Sequence, residues 1–70
     1  MDKNLSYKLG QRIKQIRAEK NISQQDLASK CNFDKSNMSR IEAGRTDPVL
    51  STLYRIANGL EVEIAELFKF

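Results

Sequence analysis

The sequence predicts an all-α fold of five short helices within a single domain that spans residues 1–70. Two observations support this prediction. Apolar residues recur every three or four positions through most of the chain, which is the spacing of one buried helix face. Residues that commonly begin or end helices interrupt this pattern at short intervals. Since 40% of the 70 residues are apolar, the chain can build one small core.

The first two predicted helices have clear boundaries. The first runs from about Ser6 to Lys20 and is followed by Asn21, which tolerates the left-handed conformation that ends many helices. Ser23 is a favoured N-cap residue, and the second helix runs from about Gln24 to Cys31. The residues expected to face the core are Leu9, Ile13 and Ile16 of the first helix and Leu27, Ala28 and Cys31 of the second.

The third predicted helix runs from Lys35 to about Ala43. Asp34 is a favoured N-cap residue before it, and Gly44 is the most favoured residue for a left-handed C-terminus after it. The second and third helices, joined by a turn of three residues, have the spacing of a helix-turn-helix motif over about residues 24–43. Ala28 allows the two helices to approach closely. The residues expected to fill the wedge between them are Leu27, Cys31, Phe33, Met38 and Ile41.

The third helix has a polar face that points away from this wedge. All its side chains can donate hydrogen bonds, and two are cationic: Lys35, Ser36, Asn37, Ser39 and Arg40. Base edges and phosphates require such donors. This face therefore indicates a nucleic-acid ligand.

The last two predicted helices follow a loop that contains Pro48. The fourth covers about Leu50 to Asn58, and we expect Gly59 to end it. A short fifth helix is predicted over about Glu63 to Phe68. Neither Val49 nor Glu63 is a good N-cap type, so both helices begin without a strong cap. The residues expected to be buried are Leu50, Leu53, Ile56 and Ala57 of the fourth helix and Ile64, Leu67 and Phe68 of the fifth.

Composition narrows the classes of function. The chain contains no His and a single Cys, which excludes a zinc finger or a disulfide framework built within it. It also lacks the imidazole used most often for acid–base chemistry near neutral pH. No apolar run reaches the length of a membrane span, and the N-terminus has no signal-peptide core. We therefore expect a cytoplasmic binding domain that is not an enzyme and has no cofactor, metal, membrane contact or small-molecule ligand.

The charges are divided unevenly along the chain. Residues 1–45 carry ten Lys and Arg against five Asp and Glu, a balance of +5, whereas residues 46–70 have a balance of −2. A basic front and an acidic rear suit a protein that presents one face to a polyanion. Because charges on small proteins often divide unevenly, this asymmetry alone does not decide the function.

Several motifs along the chain resemble the Cro and phage-repressor-like helix-turn-helix family, also called the xenobiotic-response-element family. They are LGQRI at 9–13, ISQQDLA at 22–28, SRIEAG at 39–44 and LYRIA at 53–57 with ELF at 66–68. The chain departs from the family at Asn32, where Gly is usual, and at Val49, where a capping Ser or Thr is common. Because Asn tolerates the same left-handed backbone as Gly, we expect the turn at Asn32 to be kept. The resemblance implies a five-helix lambda-repressor-like fold and sequence-specific DNA binding. It also implies a repressor or autoregulator similar to the stand-alone controller proteins of restriction–modification systems.

The same resemblance implies roles for individual residues. The third helix would enter the major groove, with base contacts from Lys35, Ser36, Asn37, Ser39 and Arg40. Gln24 matches the family's phosphate-binding Gln, and Arg45 and Thr46 would contact the neighbouring phosphates. Arg17 and Glu42 occupy positions that the family pairs, which implies a partly buried structural ion pair.

The C-terminal segment suggests a dimer. Most helix-turn-helix proteins bind as two-fold dimers to paired half-sites about one helical turn apart. This segment carries more apolar residues than one short helix needs, and the dimer-interface candidates are Val62, Ile64, Leu67, Phe68 and Phe70. We expect a homodimer on a palindromic double-stranded DNA operator. Alternatively, Phe68 and Phe70 cover the bottom of the core.

Two other functions stay open on sequence grounds. An antitoxin would use the apolar residues of its C-terminal segment to bind a toxin. A protein-interaction module could keep this fold without DNA, although it has no need of Lys35, Arg40 and Arg45 together. From the initial Met1 we expect a natural start of the chain.

Overall fold

The structure, a computed structural model, describes residues 2–70; Met1, from which we expect a natural start, lies outside them. It contains helices α1 (Lys3–Glu19), α2 (Gln24–Cys31), α3 (Lys35–Glu42) and α4 (Leu50–Leu60), followed by a 3-10 helix (Ile64–Phe68). No strand occurs within these 69 residues, in agreement with the predicted all-α class.

The prediction of five α-helices is wrong, because the last helix is a 3-10 helix. The backbone N–H of Glu66 donates to the carbonyl of Glu63 at 2.9 Å, three residues earlier, as 3-10 geometry requires. This helix spans only five residues, and short helical pieces often take the tighter 3-10 form.

All four α-helices end on a residue in the left-handed conformation. Asn21, Asn32 and Gly44 have φ angles of 56°, 62° and 75°, which confirms the predicted terminators and the expected tolerance at Asn32. The fourth is Glu61, with φ of 59°. After each, a backbone N–H donates to the carbonyl five residues back, for example from Val62 to Ala57 at 3.0 Å.

The start of α1 departs from the prediction, whereas α2 and α3 begin where predicted. Helix α1 begins at Lys3 rather than Ser6, because the Asp2 carboxylate accepts from the backbone N–H of Asn4 at 2.7 Å. Ser23 caps α2 by accepting from the N–H of Asp26 at 3.0 Å, as predicted. Asp34 occupies the N-cap position of α3, but its side chain makes no capping hydrogen bond.

Helix α4 continues through Gly59, so the prediction that Gly59 ends it is wrong. A Cβ at Gly59 would lie 2.9 Å from Leu27 Cδ1 and 3.1 Å from Cys31 Sγ. Its missing side chain therefore allows α4 to approach α2. Leu50, predicted to be buried, is 72% exposed, because it precedes the inward stripe that Leu53 begins.

The core lies between α1, α2, α3, α4 and the 3-10 helix. Its buried apolar residues are Leu9, Ile13, Ile16, Leu27, Ala28, Cys31, Met38, Ile41, Leu53, Ile56, Ala57, Leu60 and Leu67. Four of the five predicted wedge residues are in this set, whereas Phe33 is only partly buried and carries the Arg55 guanidinium 4.5 Å above its ring. Burial raises the pKa of the Cys31 thiol, partly opposed by Arg55.

Across residues 2–70 no helix combines the length and apolarity needed to cross a bilayer. The same residues hold no group of three His, Cys, Asp or Glu side chains placed to bind a metal ion.

Candidate nucleic-acid interface

Helix α3 presents most of its predicted polar face to solvent. Its inward stripe consists of Met38, Ile41 and Glu42, all of them buried. Because successive side chains are about 100° apart around a helix, the opposite side is left open. The exposed residues there, which we call the exposed α3 face, are Lys35, Ser36, Ser39 and Arg40. Asn37 is partly buried at the edge of the inward stripe.

The C-terminal end of α3 is held by an ion pair with α1. Glu42 is 0% exposed, and its two carboxylate oxygens accept hydrogen bonds from Arg17 Nε and Nη2, each at 2.8 Å. Arg17 Nη1 donates further to the carbonyl of Ile22 at 3.0 Å. This forked geometry suits a buried charge, because every polar atom of the pair finds a partner. The structure thus brings together the two residues that the resemblance pairs.

Gln24 joins this ion pair. Its side-chain Nε2 donates to Glu42 Oε1 at 3.1 Å, so three residues from three helices form what we call the anchoring network: Arg17, Gln24 and Glu42. The sequence predicts Gln24 as a phosphate contact and contains no local signal for this second role. The Gln24 Nε2 group has a second hydrogen that can donate to a phosphate oxygen. The phosphate contact of Gln24 stays a prediction.

A glycine brings α1 against the end of α3. A Cβ at Gly10 would lie 2.3 Å from the carbonyl oxygen of Glu42 and 2.8 Å from that of Ile41. Only a residue without a side chain permits this approach. Gly10 is part of a family-like motif, but the sequence does not show what it contacts.

A second glycine brings the loop after α3 against α1. A Cβ at Gly44 would lie 2.7 Å from Tyr7 Cα. The Ser6 hydroxyl donates to Asp47 Oδ1 at 2.8 Å, and this hydrogen bond is the largest cause that lowers the pKa of Asp47. The loop therefore sits at a defined place, with Arg45 exposed and Thr46 partly buried. This attachment joins residues 41 positions apart, which sequence reasoning missed.

The predicted dimer-interface residues do not form one exposed surface. Leu67 is 0% exposed and belongs to the core, while Val62 and Ile64 are partly buried against it. Only Phe68 and Phe70 are open, at 40% and 55%, with ring centroids 6.4 Å apart. The prediction that Phe68 is buried is wrong. Other large apolar side chains are also exposed: Leu5, Tyr7, Val49, Leu50 and Tyr54.

Comparisons with known proteins agree with this geometry. A sequence model of the helix-turn-helix family matches residues 13–67. The immunity repressor protein of Bacillus phage phi105 is 41% identical over 59 residues, which are 84% of this chain and only 41% of the repressor. The control protein C.BamHI of Bacillus amyloliquefaciens is 34% identical over 71 residues, or 100% of this chain and 88% of that protein.

A solved structure is similar over most of the chain. The crystal structure of the restriction-modification controller protein C.Esp1396I tetramer, in complex with its natural 35 base-pair operator, matches with a TM-score of 0.84 and 38% identity. The match covers 93% of this chain and 86% of that one. The likeness therefore includes both the helix-turn-helix and the helices that pack behind it.

Proposed function

This chain belongs to the helix-turn-helix family, and we propose that it is a sequence-specific DNA-binding regulator of transcription whose α3 lies in the major groove. We propose further that residues 1–70 act as one domain in the cytoplasm, with the motif at residues 24–43. The relatives described above are a repressor and restriction–modification control proteins rather than enzymes, which supports a regulatory role. The controller structure in complex with its operator supports a DNA ligand.

The observation that carries this proposal is the exposed α3 face together with the anchoring network behind it. Lys35, Ser36, Ser39 and Arg40 are open to solvent, and all of them donate hydrogen bonds. Arg40 could contact guanine through two parallel hydrogen bonds, which is the commonest specific base contact. Because Glu42 is buried and fully paired, the end of α3 cannot turn without breaking charged hydrogen bonds.

Phosphate contacts would fix the duplex on this face. Gln24 begins α2, where free backbone N–H groups also attract an anion. Arg45 and Thr46 lie on the loop after α3, which Gly44 brings against α1. We propose these three residues as phosphate contacts, and Asn37, being partly buried, as a weaker candidate for a base contact than its four neighbours.

We also propose that the chain acts as a homodimer on a roughly palindromic operator. One α3 covers only a few base pairs, so two copies related by a two-fold axis would double the sequence that is read. Phe68 and Phe70, exposed on the C-terminal segment, are the proposed interface residues. Val62 and Ile64 can contribute only their exposed edges, and Leu67 acts by supporting them from the core.

Selection of preferred duplexes from a random-sequence library tests the proposal, followed by footprinting of the selected site. Ser36→Ala/Arg40→Ala is the informative variant, and Lys30→Ala on α2 is a control that removes a charge outside the exposed α3 face. We expect the wild type and the control to protect one roughly palindromic site. The double variant should lose its preference for that site over random DNA by about tenfold or more, since each good base contact contributes roughly 1–3 kcal/mol. No preference by the wild type at any salt concentration would contradict the proposal.

The exposed apolar side chains favour one alternative. An antitoxin would cover Phe68 and Phe70 with a toxin rather than with a second copy. Sedimentation of the purified chain separates the two: a concentration-dependent dimer lost in Phe68→Ala/Phe70→Ala supports the homodimer. A monomer at every concentration points to a different protein partner. A protein-interaction module that binds no DNA would show no duplex preference in the selection experiment.

A further inference from the structure

A cleft opens between the first turns of α1 and the loop that follows α3. Its volume is about 650 Å³. What we call the loop cleft is lined by Lys3, Ser6 and Tyr7 of α1 on one side and by residues 43–47 on the other. The contact of Gly44 with Tyr7 and the hydrogen bond from Ser6 to Asp47 fix the two walls relative to each other.

The loop cleft continues the exposed α3 face. Ala43 lies seven residues after Ser36 and four after Ser39, so it occupies the same side of the helix, and it is exposed. Ala43 also lines the cleft. A duplex whose major groove holds α3 would therefore bring its sugar–phosphate backbone to the mouth of the cleft, beyond the end of α3.

Two exposed side chains on the α1 wall can donate hydrogen bonds, in addition to the buried Ser6 hydroxyl that donates to Asp47. Lys3 and Tyr7 are one helical turn apart on the same side of α1, and both are exposed. An ammonium group and a phenol hydroxyl both suit phosphate oxygens, and the Arg45 guanidinium on the opposite wall does as well. The Asp47 carboxylate also lines the cleft, where Oδ1 accepts from Ser6. The lining thus carries two cations against one anion.

We propose that the loop cleft binds the sugar–phosphate backbone of the operator, so that α1 contributes Lys3 and Tyr7 as phosphate contacts outside the helix-turn-helix. This inference rests on the proposed function. Polar donors favour a phosphate backbone over an apolar protein segment, and Tyr7 is the only large exposed apolar side chain in the cleft among residues 2–70. This role adds DNA contacts on α1, whereas all the DNA contacts predicted from the sequence lie on α2, α3 and the loop after α3.

Lys3→Ala tests the proposal, with Lys8→Ala as its matched control. Lys8 is on the same helix and loses the same charge, but it does not line the loop cleft. It lines a neighbouring groove with Arg12 and Phe70, and Tyr7 borders both. The probe is the duplex that the wild type selects, with affinity measured by fluorescence anisotropy between about 0.05 and 0.3 M salt. We expect Lys3→Ala to reduce the salt slope by about 0.9 and the affinity about eightfold near 0.1 M, because one phosphate contact is lost. Lys8→Ala should leave the slope unchanged.

Tyr7→Phe adds a second readout that a general charge effect would not change. Since only a neutral hydroxyl is removed, we expect the affinity to fall roughly three- to tenfold with an unchanged salt slope. Urea unfolding verifies that each variant is folded before its affinity is measured. If Lys3→Ala and Lys8→Ala have equal slopes while the wild type still prefers its duplex, the cleft assignment is overturned and the proposed function stands. If the wild type prefers no duplex, the proposed function itself fails.

Discussion

Two helix contacts hold this molecule together, and only one of them contains a buried ion pair. Helix α1 meets α3 through the absent side chain of Gly10 and through the paired charges of Arg17 and Glu42. Helix α2 meets α4 where Leu27 and Cys31 pack against Gly59, and the polar contacts there go to backbone carbonyls. The Cys31 thiol donates to the Arg55 carbonyl at 3.4 Å, and Arg55 Nη2 donates to the Cys31 carbonyl. A forked pair with a buried carboxylate requires one geometry of both partners, whereas apolar side chains can repack at modest cost. We infer that the α1–α3 contact determines where α3 lies, and that the α2–α4 contact mainly supplies stability.

The two largest losses of stability are expected from breaking the ion pair and from truncating a core leucine. Glu42→Ala would leave the Arg17 guanidinium partly buried without its carboxylate, so we expect a loss of about 3 kcal/mol in the free energy of unfolding. Leu27→Ala, on the apolar side, should cost a similar 2 to 5 kcal/mol or so through loss of packing. Urea unfolding measures both. Glu42→Gln should cost less than Glu42→Ala, because an amide oxygen still accepts from Arg17. Unfolding curves unchanged by Glu42→Ala would show that the pair contributes nothing.

Alanine substitutions at Gly10 and Gly59 compare how far the α1–α3 and α2–α4 contacts can adapt. At Gly10 an added methyl group meets the backbone carbonyl of Glu42 at 2.3 Å, which cannot yield unless a helix moves. Gly10→Ala should therefore cost about 2 to 3 kcal/mol. At Gly59 the first atom met is the end of the Leu27 side chain, which can rotate, and alanine gains about 1 kcal/mol in helix propensity.

Gly59→Ala should therefore change the free energy of unfolding by less than about 1 kcal/mol. Thermal and urea unfolding of the two alanine variants compare them directly. Equal losses at both positions would mean that the α1–α3 contact is as adaptable as the α2–α4 contact.

The smallest expected effect is a pH dependence at the loop attachment. The Ser6 hydroxyl is the largest cause that holds the pKa of Asp47 below its ordinary value of 3.8. Because the folded state favours the ionised carboxylate, this contribution to stability is present above about pH 4 and is lost as the pH falls through the lowered pKa. Between about pH 5 and 2, the wild type should lose more stability than Ser6→Ala.

Urea midpoints at several pH values measure this difference. The pKa of Glu66 is also lowered, first by a hydrogen bond from Lys69, but Glu66 is unchanged in both proteins and its effect cancels. Parallel pH profiles for the wild type and Ser6→Ala would contradict a role for this hydrogen bond.

Local chemistry explains which features the sequence could predict. Asn21, Asn32 and Gly44 were predictable terminators because their residue types tolerate the left-handed conformation. Glu61 adopts the same conformation without belonging to a favoured type, so nothing local indicated it. Gly59 was misleading because glycine serves both as a terminator and as a point of close packing, and only the position of α2 distinguishes the two roles.

Contacts between distant residues explain what the sequence could not predict. Gln24 reaches Glu42 across 18 positions, and Ser6 reaches Asp47 across 41. The polar pattern of α3 was visible from helical periodicity, but the partial burial of Asn37 depends on how α3 packs. Leu50 is the reverse case, because it was predicted to be buried and is exposed. It continues an apolar spacing, yet no neighbouring element covers the first turn of α4.

The most direct test of the comparison measures DNA affinity in variants of equal stability. Glu42→Gln disturbs the anchoring network, while Ile56→Val or Ile56→Ala, whichever matches its free energy of unfolding, disturbs only the apolar core of α4. Affinities for the selected duplex and for random DNA are measured where all variants are fully folded. We expect Glu42→Gln to lose specific affinity by about tenfold, as for a lost base contact, and the Ile56 variant to retain it. Equal losses would contradict the claim that the polar contact positions α3.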